Sequence, residues 1–139
     1  MEKFDMKTIK VVAAIIENDK NEILCALRSS HMSLPNMWEF PGGKVEKNED
    51  IFHAIEREIK EELGCQVSGQ SLFHENIHEY DTFRVHLLCI TCKMTKGLPI
   101  PIEHAKLIWL KREHLGSLRW APADLPAVKH LIKESSPLP

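Results

Sequence analysis

Apolar and polar positions along this chain follow two different periods, which predicts strands interleaved with helices. Residues 8–17 and 22–28 are rich in Val, Ile, Leu and Ala and flank a polar Asn-Asp-Lys-Asn turn, a pattern that predicts a buried β-hairpin. Residues 83–92 form a longer run of β-branched, aromatic and other apolar residues, which predicts a further strand. Weaker patterns predict strands at 72–80 and 107–110.

Two stretches repeat their apolar residues every three to four positions, as helices do. The stronger one starts at Asn48, which can cap a helix with Glu49 and Asp50 in its first turn, and ends at Gly64, a good helix terminator. Its apolar stripe consists of Ile51, Ala54, Ile55, Ile59 and Leu63. A second helix is predicted at residues 122–132, with prolines in its first turn.

Length and composition fit one soluble α/β (α+β) domain over residues 1–139, long enough to bury a full core. The net charge of -2 creates no field that would attract nucleic acid, whereas a small anionic substrate stays possible where a metal supplies positive charge. No run approaches the ~18 apolar residues of a membrane span. The first residues lack the apolar core of a secretory signal, so we expect a cytoplasmic protein. Residues 135–139 are expected to fray.

Two short motifs suggest metal or redox chemistry but fit it poorly. Cys89 and Cys92 form a CxxC pair inside the strand predicted at 83–92, where side chains three apart point to opposite faces, so buried and inert thiols are expected. His74 and His78 match the HExxH pattern of zinc proteases, which requires a helix, whereas this segment favours a strand. Both matches are therefore interpreted as coincidences.

The stronger predicted helix carries three carboxylates on one stripe. Glu58, Glu61 and Glu62 stand at i, i+3 and i+4, so they project from the same face. Exposed like charges at this spacing repel by roughly a few tenths of a kcal/mol per pair, a cost most easily explained by a divalent cation between them. Oxygen ligands favour Mg2+, with Mn2+ as a substitute, over zinc. Taken alone, an acidic stripe is more often a solvated helix face.

The spacing around this stripe resembles the signature box of the Nudix hydrolases, which would cover residues 43–65. The fixed positions of that box are matched by Gly43, Glu49, Arg57, Glu58, Glu61, Glu62 and Gly64. Its last position, usually a large aliphatic residue, is Cys65 here. The runs at 38–46 and 120–126 extend the resemblance to the MutT group of nucleoside triphosphate pyrophosphohydrolases, and within it to the bacterial CTP pyrophosphohydrolase type.

This resemblance implies an α/β/α sandwich with a mixed sheet, and Mg2+-dependent hydrolysis of a nucleoside triphosphate to the monophosphate and pyrophosphate. The partner would be a small-molecule nucleotide, with no nucleic acid polymer and no membrane, and the protein would be a monomer or homodimer. Its role would be to clear mutagenic nucleotides or to trim a nucleotide pool. Two alternatives stay open: hydrolysis of another nucleoside diphosphate derivative, and a nucleotide-binding regulator without turnover.

The resemblance also implies roles for individual residues of the box. The metal ligands would be the Gly42 carbonyl and the carboxylates of Glu58, Glu61, Glu62 and Glu103. Glu58, Glu61 and Glu62 would be catalytic, with Glu58 deprotonating or orienting the attacking water, although a base elsewhere stays open. Structural support would come from Gly43, Glu49, Arg57 and Gly64. The simpler alternatives are an ordinary loop charge for Glu103 and a mere turn for the two glycines.

Substrate contacts are expected outside the box, at Arg28, Phe40, Tyr80 and Asp124. Arg28 would bind phosphate oxygens or, alternatively, form a surface salt bridge. An ionised Asp124 only accepts hydrogen bonds, which favours a cytidine-type or damaged pyrimidine triphosphate over 8-oxo-dGTP, for which MutT itself has an asparagine nearby. A protonated Asp124 would also donate, and Asp is favoured at helix N-termini in any case. Phe40 and Tyr80 would wall the base, unless Phe40 is plain core.

Overall fold

The strands of this protein form two sheets, and its two described helices pack on opposite sides of the larger sheet. The computed structural model describes residues 6–135, so the tail expected to fray lies outside them except at Ser135. In chain order the elements are β1 (Lys7–Ile16), β2 (Glu22–Leu27), β3 (Trp38–Glu39), β4 (Gly42–Lys44), α1 (Ile51–Leu63), β5 (Gln66–Glu79), β6 (Phe83–Lys96), β7 (Lys106–Lys111), a 3-10 helix (Arg112–Ser117) and α2 (Leu125–Ser135). No helix in this range is long and apolar enough to cross a membrane.

The larger sheet is mixed, as the predicted α/β/α sandwich requires. Its strand order is β4-β1-β6-β5, with β1 parallel to β6 and the other neighbours antiparallel. A second, antiparallel sheet has the order β3-β2-β7. The predicted fold class is confirmed.

Alternate side chains of β1 enter two separate hydrophobic clusters. Val12 and Ala14 belong to the cluster that contains the apolar stripe of α1, whereas Ala13 and Ile15 belong to the cluster that contains α2. Because successive strand residues point to opposite faces, a strand covered on both sides is apolar at every position. This packing explains the uninterrupted apolar run of β1.

The predicted β1–β2 hairpin is wrong. A tight turn does connect the two strands, and the Asn18 N–H donates to the Glu22 carbonyl at 3.0 Å. Beyond a single bridge between Glu17 and Ile23, however, the strands enter different sheets. Both strands are apolar on both faces, so neither carries the alternation that would specify a pairing partner.

The predicted cap of α1 is also wrong, whereas its predicted end is confirmed. Asp50 caps the helix, because its Oδ2 accepts from the N–H groups of Phe52 at 3.0 Å and His53 at 3.1 Å. Asn48 instead occupies a turn, with φ of 63°. Gly64 ends α1 in the left-handed conformation, with φ of 67°, as predicted.

In the structure the CxxC and HExxH matches are coincidences, as interpreted from the sequence. Cys89 and Cys92 are buried in the two different clusters, and burial raises the pKa of Cys92 to about 12. The HExxH segment lies in β5 and forms no helix. There His74 Nδ1 hydrogen-bonds to Nδ1 of His130 in α2 at 3.0 Å, while the His78 ring contacts Tyr80.

Candidate active site

A salt-bridged clamp joins the loop before α1 to the helix itself. Arg57 donates to both carboxylate oxygens of Glu49, from Nε at 2.8 Å and from Nη2 at 2.9 Å. The same guanidinium donates to Glu58 Oε2 at 2.8 Å and to the Lys44 carbonyl at 3.0 Å. Hydrogen bonding by Arg57 lowers the pKa of Glu49 to about 2. Glu49 and Arg57, for which the resemblance implied structural support, therefore form an ion pair.

The three stripe carboxylates differ strongly in their exposure. The Glu61 side chain is 58% exposed, the Glu58 side chain is 14% exposed, and Glu62 is buried. Burial raises the pKa of Glu62 to about 9, supported by a hydrogen bond with Glu58 and by the charges of Glu58, Glu39 and Glu103. The structure thus gathers Glu39 and Glu103 around Glu58 and Glu62, with Glu61 facing solvent.

The donors in this cluster fit a hard divalent cation. Glu62 Oε1 is buried and has no hydrogen-bond partner among residues 6–135. A buried carboxylate oxygen among like charges lacks the positive charge that would stabilise it, and oxygen donors are those that Mg2+ prefers. Within the described chain no three acidic, His or Cys side chains already converge on one metal position, and Glu58 binds Arg57 instead.

The two glycines before the helix allow close approach of different neighbours. A Cβ atom on Gly43 would collide with the Glu58 carboxylate and lie 2.8 Å from its Oε2. A Cβ atom on Gly42 would collide with the Val12 carbonyl and lie 2.8 Å from the Ala13 Cα. Gly43 therefore leaves room for a carboxylate of the site, and Gly42 leaves room for strand pairing.

A cavity of about 360 Å³ lies beside the carboxylate cluster. It is lined by the predicted substrate residues Arg28, Phe40, Tyr80 and Asp124, and also by Glu39. Apolar side chains of β1 and β6 complete its walls. Ligand pockets in proteins are typically apolar with a few fixed polar groups, so this cavity has the composition of a binding site.

Asp124 is buried at the start of α2 and differs from the ionised acceptor considered above. Its Oδ2 accepts the backbone N–H of Phe40 at 3.0 Å. Burial raises the pKa of Asp124 to about 8, and the charge of Glu39 adds to that rise. Near neutral pH the carboxyl group is therefore mostly protonated and can donate one hydrogen bond as well as accept others.

Arg28 is engaged by protein groups. Its Nη1 donates to Glu39 Oε1 at 2.6 Å, and its Nε and Nη2 donate to Ser33 at 2.6 and 3.1 Å. The other Glu39 oxygen, Oε2, lies 2.8 Å from Nε2 of the buried His104. The salt bridge considered as the alternative for Arg28 is thus formed, although it is largely buried.

The two predicted aromatic walls lie in different surroundings. Phe40 is 2% exposed, and its ring centroid lies 4.7 Å from that of Trp120. Tyr80 is half-buried and stacks on Phe83 with ring centroids 5.2 Å apart. Phe40 therefore belongs to the core beneath the cavity, as in the core alternative, and Tyr80 lies at its edge.

Sequence reasoning missed Glu39 and His104. Glu39 lies between Trp38 and Phe40, where simple alternation predicts an outward polar residue. Its partners Arg28 and His104 are 11 and 65 residues away, so its burial depends on long-range contacts. The only local signal is a histidine directly after the candidate ligand Glu103.

Comparison with protein families identifies a domain across most of the chain. The model of the NUDIX domain matches residues 11–130. The chain is also similar to the CTP pyrophosphohydrolase of Escherichia coli strain K12, with 36% identity over 89% of this chain and 91% of the relative. The 8-oxo-dGTP diphosphatase of the same organism is 30% identical over 91% of this chain and 98% of the relative.

A solved structure supports the same relationship. The chain resembles the solution structure of a MutT protein of the Nudix hydrolase family from methicillin-resistant Staphylococcus aureus 252. The two share 49% sequence identity and superpose with a TM-score of 0.76, over 94% of this chain and 99% of that one.

Proposed function

The chain belongs to the Nudix hydrolase family, and we propose that it hydrolyses a nucleoside triphosphate to the nucleoside monophosphate and pyrophosphate with the help of Mg2+. The observation that carries this proposal is the adjacency of two features. The buried Glu62, with one carboxylate oxygen unpartnered among the described residues, lies among like charges beside a cavity that is lined by two acidic groups, Glu39 and Asp124. The carboxylates around Glu62 suit a metal-bound triphosphate, and the cavity suits a nucleobase that carries hydrogen-bond donors.

The proposed metal ligands are Glu58, Glu61, Glu62, Glu103 and the Gly42 carbonyl. Divalent ions held there would neutralise the charge of the triphosphate and lower the pKa of a bound water. Water attacks the α-phosphorus of the triphosphate. The bond from this phosphorus to the oxygen that bridges it to the β-phosphorus breaks, and pyrophosphate leaves with the electron pair of that bond. Glu58 takes the water proton in this proposal, since release from Arg57 frees an ionised carboxylate in the cluster.

The cavity supports a cytosine-type base. A protonated Asp124 presents an O–H donor and a carbonyl acceptor, which complement cytosine N3 and the N4 amine. Glu39 adds an acceptor-only carboxylate that suits an amino group. The similar proteins named as acting on CTP and on 8-oxo-dGTP make both nucleotides candidates, and the two carboxyl groups favour the first. Clearance of a damaged pyrimidine triphosphate is consistent with the same chemistry.

A nucleotide screen tests this function. Purified protein with Mg2+ is incubated with normal and oxidised nucleoside triphosphates, and pyrophosphate and monophosphate are quantified. We expect equal amounts of both products, fastest with a cytosine nucleotide, no turnover after chelation of divalent ions, and recovery when Mg2+ is restored. Release of orthophosphate, turnover only of a nucleotide sugar, or nucleotide binding without any product would contradict the proposal.

A further inference from the structure

His104 is a buried histidine outside the box that makes one polar contact. Its side chain is 1% exposed, and its Nε2 lies 2.8 Å from Glu39 Oε2. A carboxylate has no proton to give when ionised, so Nε2 carries the hydrogen and donates it. Nδ1, the other ring nitrogen, is buried without a partner in the described part of the chain. Among the described residues, the imidazole ring therefore forms its hydrogen bond with Glu39 alone.

Glu39 is held by a donor on each oxygen. Arg28, directly after β2, occupies Oε1, and His104, in the loop that joins β6 to β7, occupies Oε2. Each carboxylate oxygen has about two lone-pair sites, so Glu39 can still accept from a ligand in the cavity that it lines. The side chain is 16% exposed, which leaves it reachable from the cavity.

The loop that carries His104 is fixed on both sides of this residue. The Ile102 N–H donates to the Glu62 carbonyl at the end of α1, at 3.3 Å. The Ala105 N–H donates to the Leu27 carbonyl at the end of β2, at 2.9 Å. The imidazole is thus anchored to the helix that carries the box and to the strand end beside Arg28, which makes it a rigid support for a carboxylate.

We propose that His104 is a positioning residue for base selection: it aims the Glu39 carboxylate into the cavity, where that carboxylate accepts a hydrogen bond from an amino group of the base. This inference rests on the proposed use of the cavity for a nucleobase. His104 itself touches no substrate atom. A histidine that only filled the core and anchored its loop would affect folding and the turnover of every nucleotide alike, but not the choice between them.

The test compares CTP with UTP, whose bases differ at C4, an amino group against a carbonyl, and at N3, an acceptor against an N–H donor. We measure kcat/KM for both nucleotides, and equilibrium binding of both by calorimetry, in the parent protein and in variants. His104→Ala should reduce the preference for CTP by about tenfold in both measurements, because an aimed charged acceptor is lost. His104→Gln, whose amide can donate from a similar place, should restore most of the preference.

Matched controls separate positioning from stability. His114→Ala removes an exposed histidine of the 3-10 helix and should leave the preference unchanged. In a Glu39→Ala background, His104→Ala should cause no further loss of preference. If His104→Ala does not fold, His104→Met replaces it, since it fills similar space and donates nothing.

The outcomes also distinguish this inference from the proposed function. A parent protein that binds CTP over UTP but releases no pyrophosphate contradicts the function alone, because binding still reports selection. Pyrophosphate release with an unchanged CTP preference in His104→Ala overturns the positioning role alone. A parent protein without any preference, or without nucleotide binding, also overturns it.

Discussion

The box and the cavity differ in the distance along the chain over which their contacts are made. In the box, Arg57 reaches Glu49 over eight residues, and the carboxylates project from one helix. In the cavity, Asp124 reaches Phe40 over 84 residues, and Glu39 is held from both sides by distant partners. The box is thus a local structure that supplies charge, whereas the cavity is a product of the whole fold. A change in one should therefore leave the property set by the other intact.

The largest expected effect is that of Glu58→Gln, which removes the proposed base and one metal ligand while keeping its shape. Turnover should fall about 10² to 10⁴-fold, and the relative kcat/KM among nucleotides should stay the same. Steady-state kinetics with CTP and 8-oxo-dGTP measure both quantities. Glu56→Gln, an exposed change on the same helix, is the control and should stay close to the parent protein. Turnover within a few-fold of the parent would remove Glu58 from this role.

A methyl group added at Gly43 should affect catalysis, whereas one added at Gly42 should affect folding. In Gly43→Ala the new Cβ meets the movable carboxylate of Glu58, so turnover should fall about ten- to hundredfold while the melting temperature changes little. In Gly42→Ala it meets the backbone of β1, so the free energy of unfolding should fall by about 1–3 kcal/mol. Calorimetric melting and pyrophosphate release distinguish the two. If Gly43→Ala lowered the stability and Gly42→Ala lowered only the turnover, this interpretation of the two glycines would be wrong.

Asp124→Ala should change the choice of base and leave the chemistry intact. Alanine has neither the O–H donor nor the carbonyl acceptor that a protonated Asp124 offers to cytosine, so the preference for cytosine over guanine-type bases should fall by about tenfold in relative kcat/KM. Asp124→Asn is the control, because it keeps one donor and one acceptor, can still accept the Phe40 N–H and should keep the preference. An unchanged ranking across nucleotides in Asp124→Ala would count against a base contact by Asp124.

A further effect, separate from turnover, is on the pH dependence of stability. The pKa of Asp124 is raised from 3.8 in the unfolded chain to about 8 in the folded protein, chiefly by burial. Between these values the folded state binds more protons, so this group lowers the free energy of unfolding as pH rises, by at most about 1.4 kcal/mol per pH unit. Asp124→Asn should remove this pH dependence of the free energy of unfolding between pH 4 and 8. Above pH 8 the pH dependence should be the same in both proteins. Parallel denaturation curves of both proteins across this range would contradict the burial argument.

The sequence was most informative where contacts are local. The family resemblance implied structural roles for Glu49 and Arg57, which form an ion pair, and the apolar stripe predicted α1. The cap was misplaced from Asp50 to Asn48 because both residues are good caps only two positions apart. These features depend on periodicity and side-chain chemistry within about twenty residues, which one sequence displays directly.

Long-range features were predicted less well. The pairing of β1 with β2 was wrong because an apolar run on both faces carries no information about its neighbour. Glu39 was missed because its partner His104 lies 65 residues away, in the loop between β6 and β7. The protonation of Asp124 at neutral pH follows from burial, which depends on the packing of β3 against the start of α2.

The most direct test of the account compares the parent protein, Glu58→Gln and Asp124→Ala in one pyrophosphate-release assay with Mg2+. The central claim is that the box determines which bond is cut and the cavity determines which base is accepted. We expect Glu58→Gln to lower kcat/KM for CTP and 8-oxo-dGTP by the same factor, and Asp124→Ala to change their ratio while one of the two stays within about tenfold of the parent. A changed ratio in Glu58→Gln, or an equal loss for both nucleotides in Asp124→Ala, would contradict the claim.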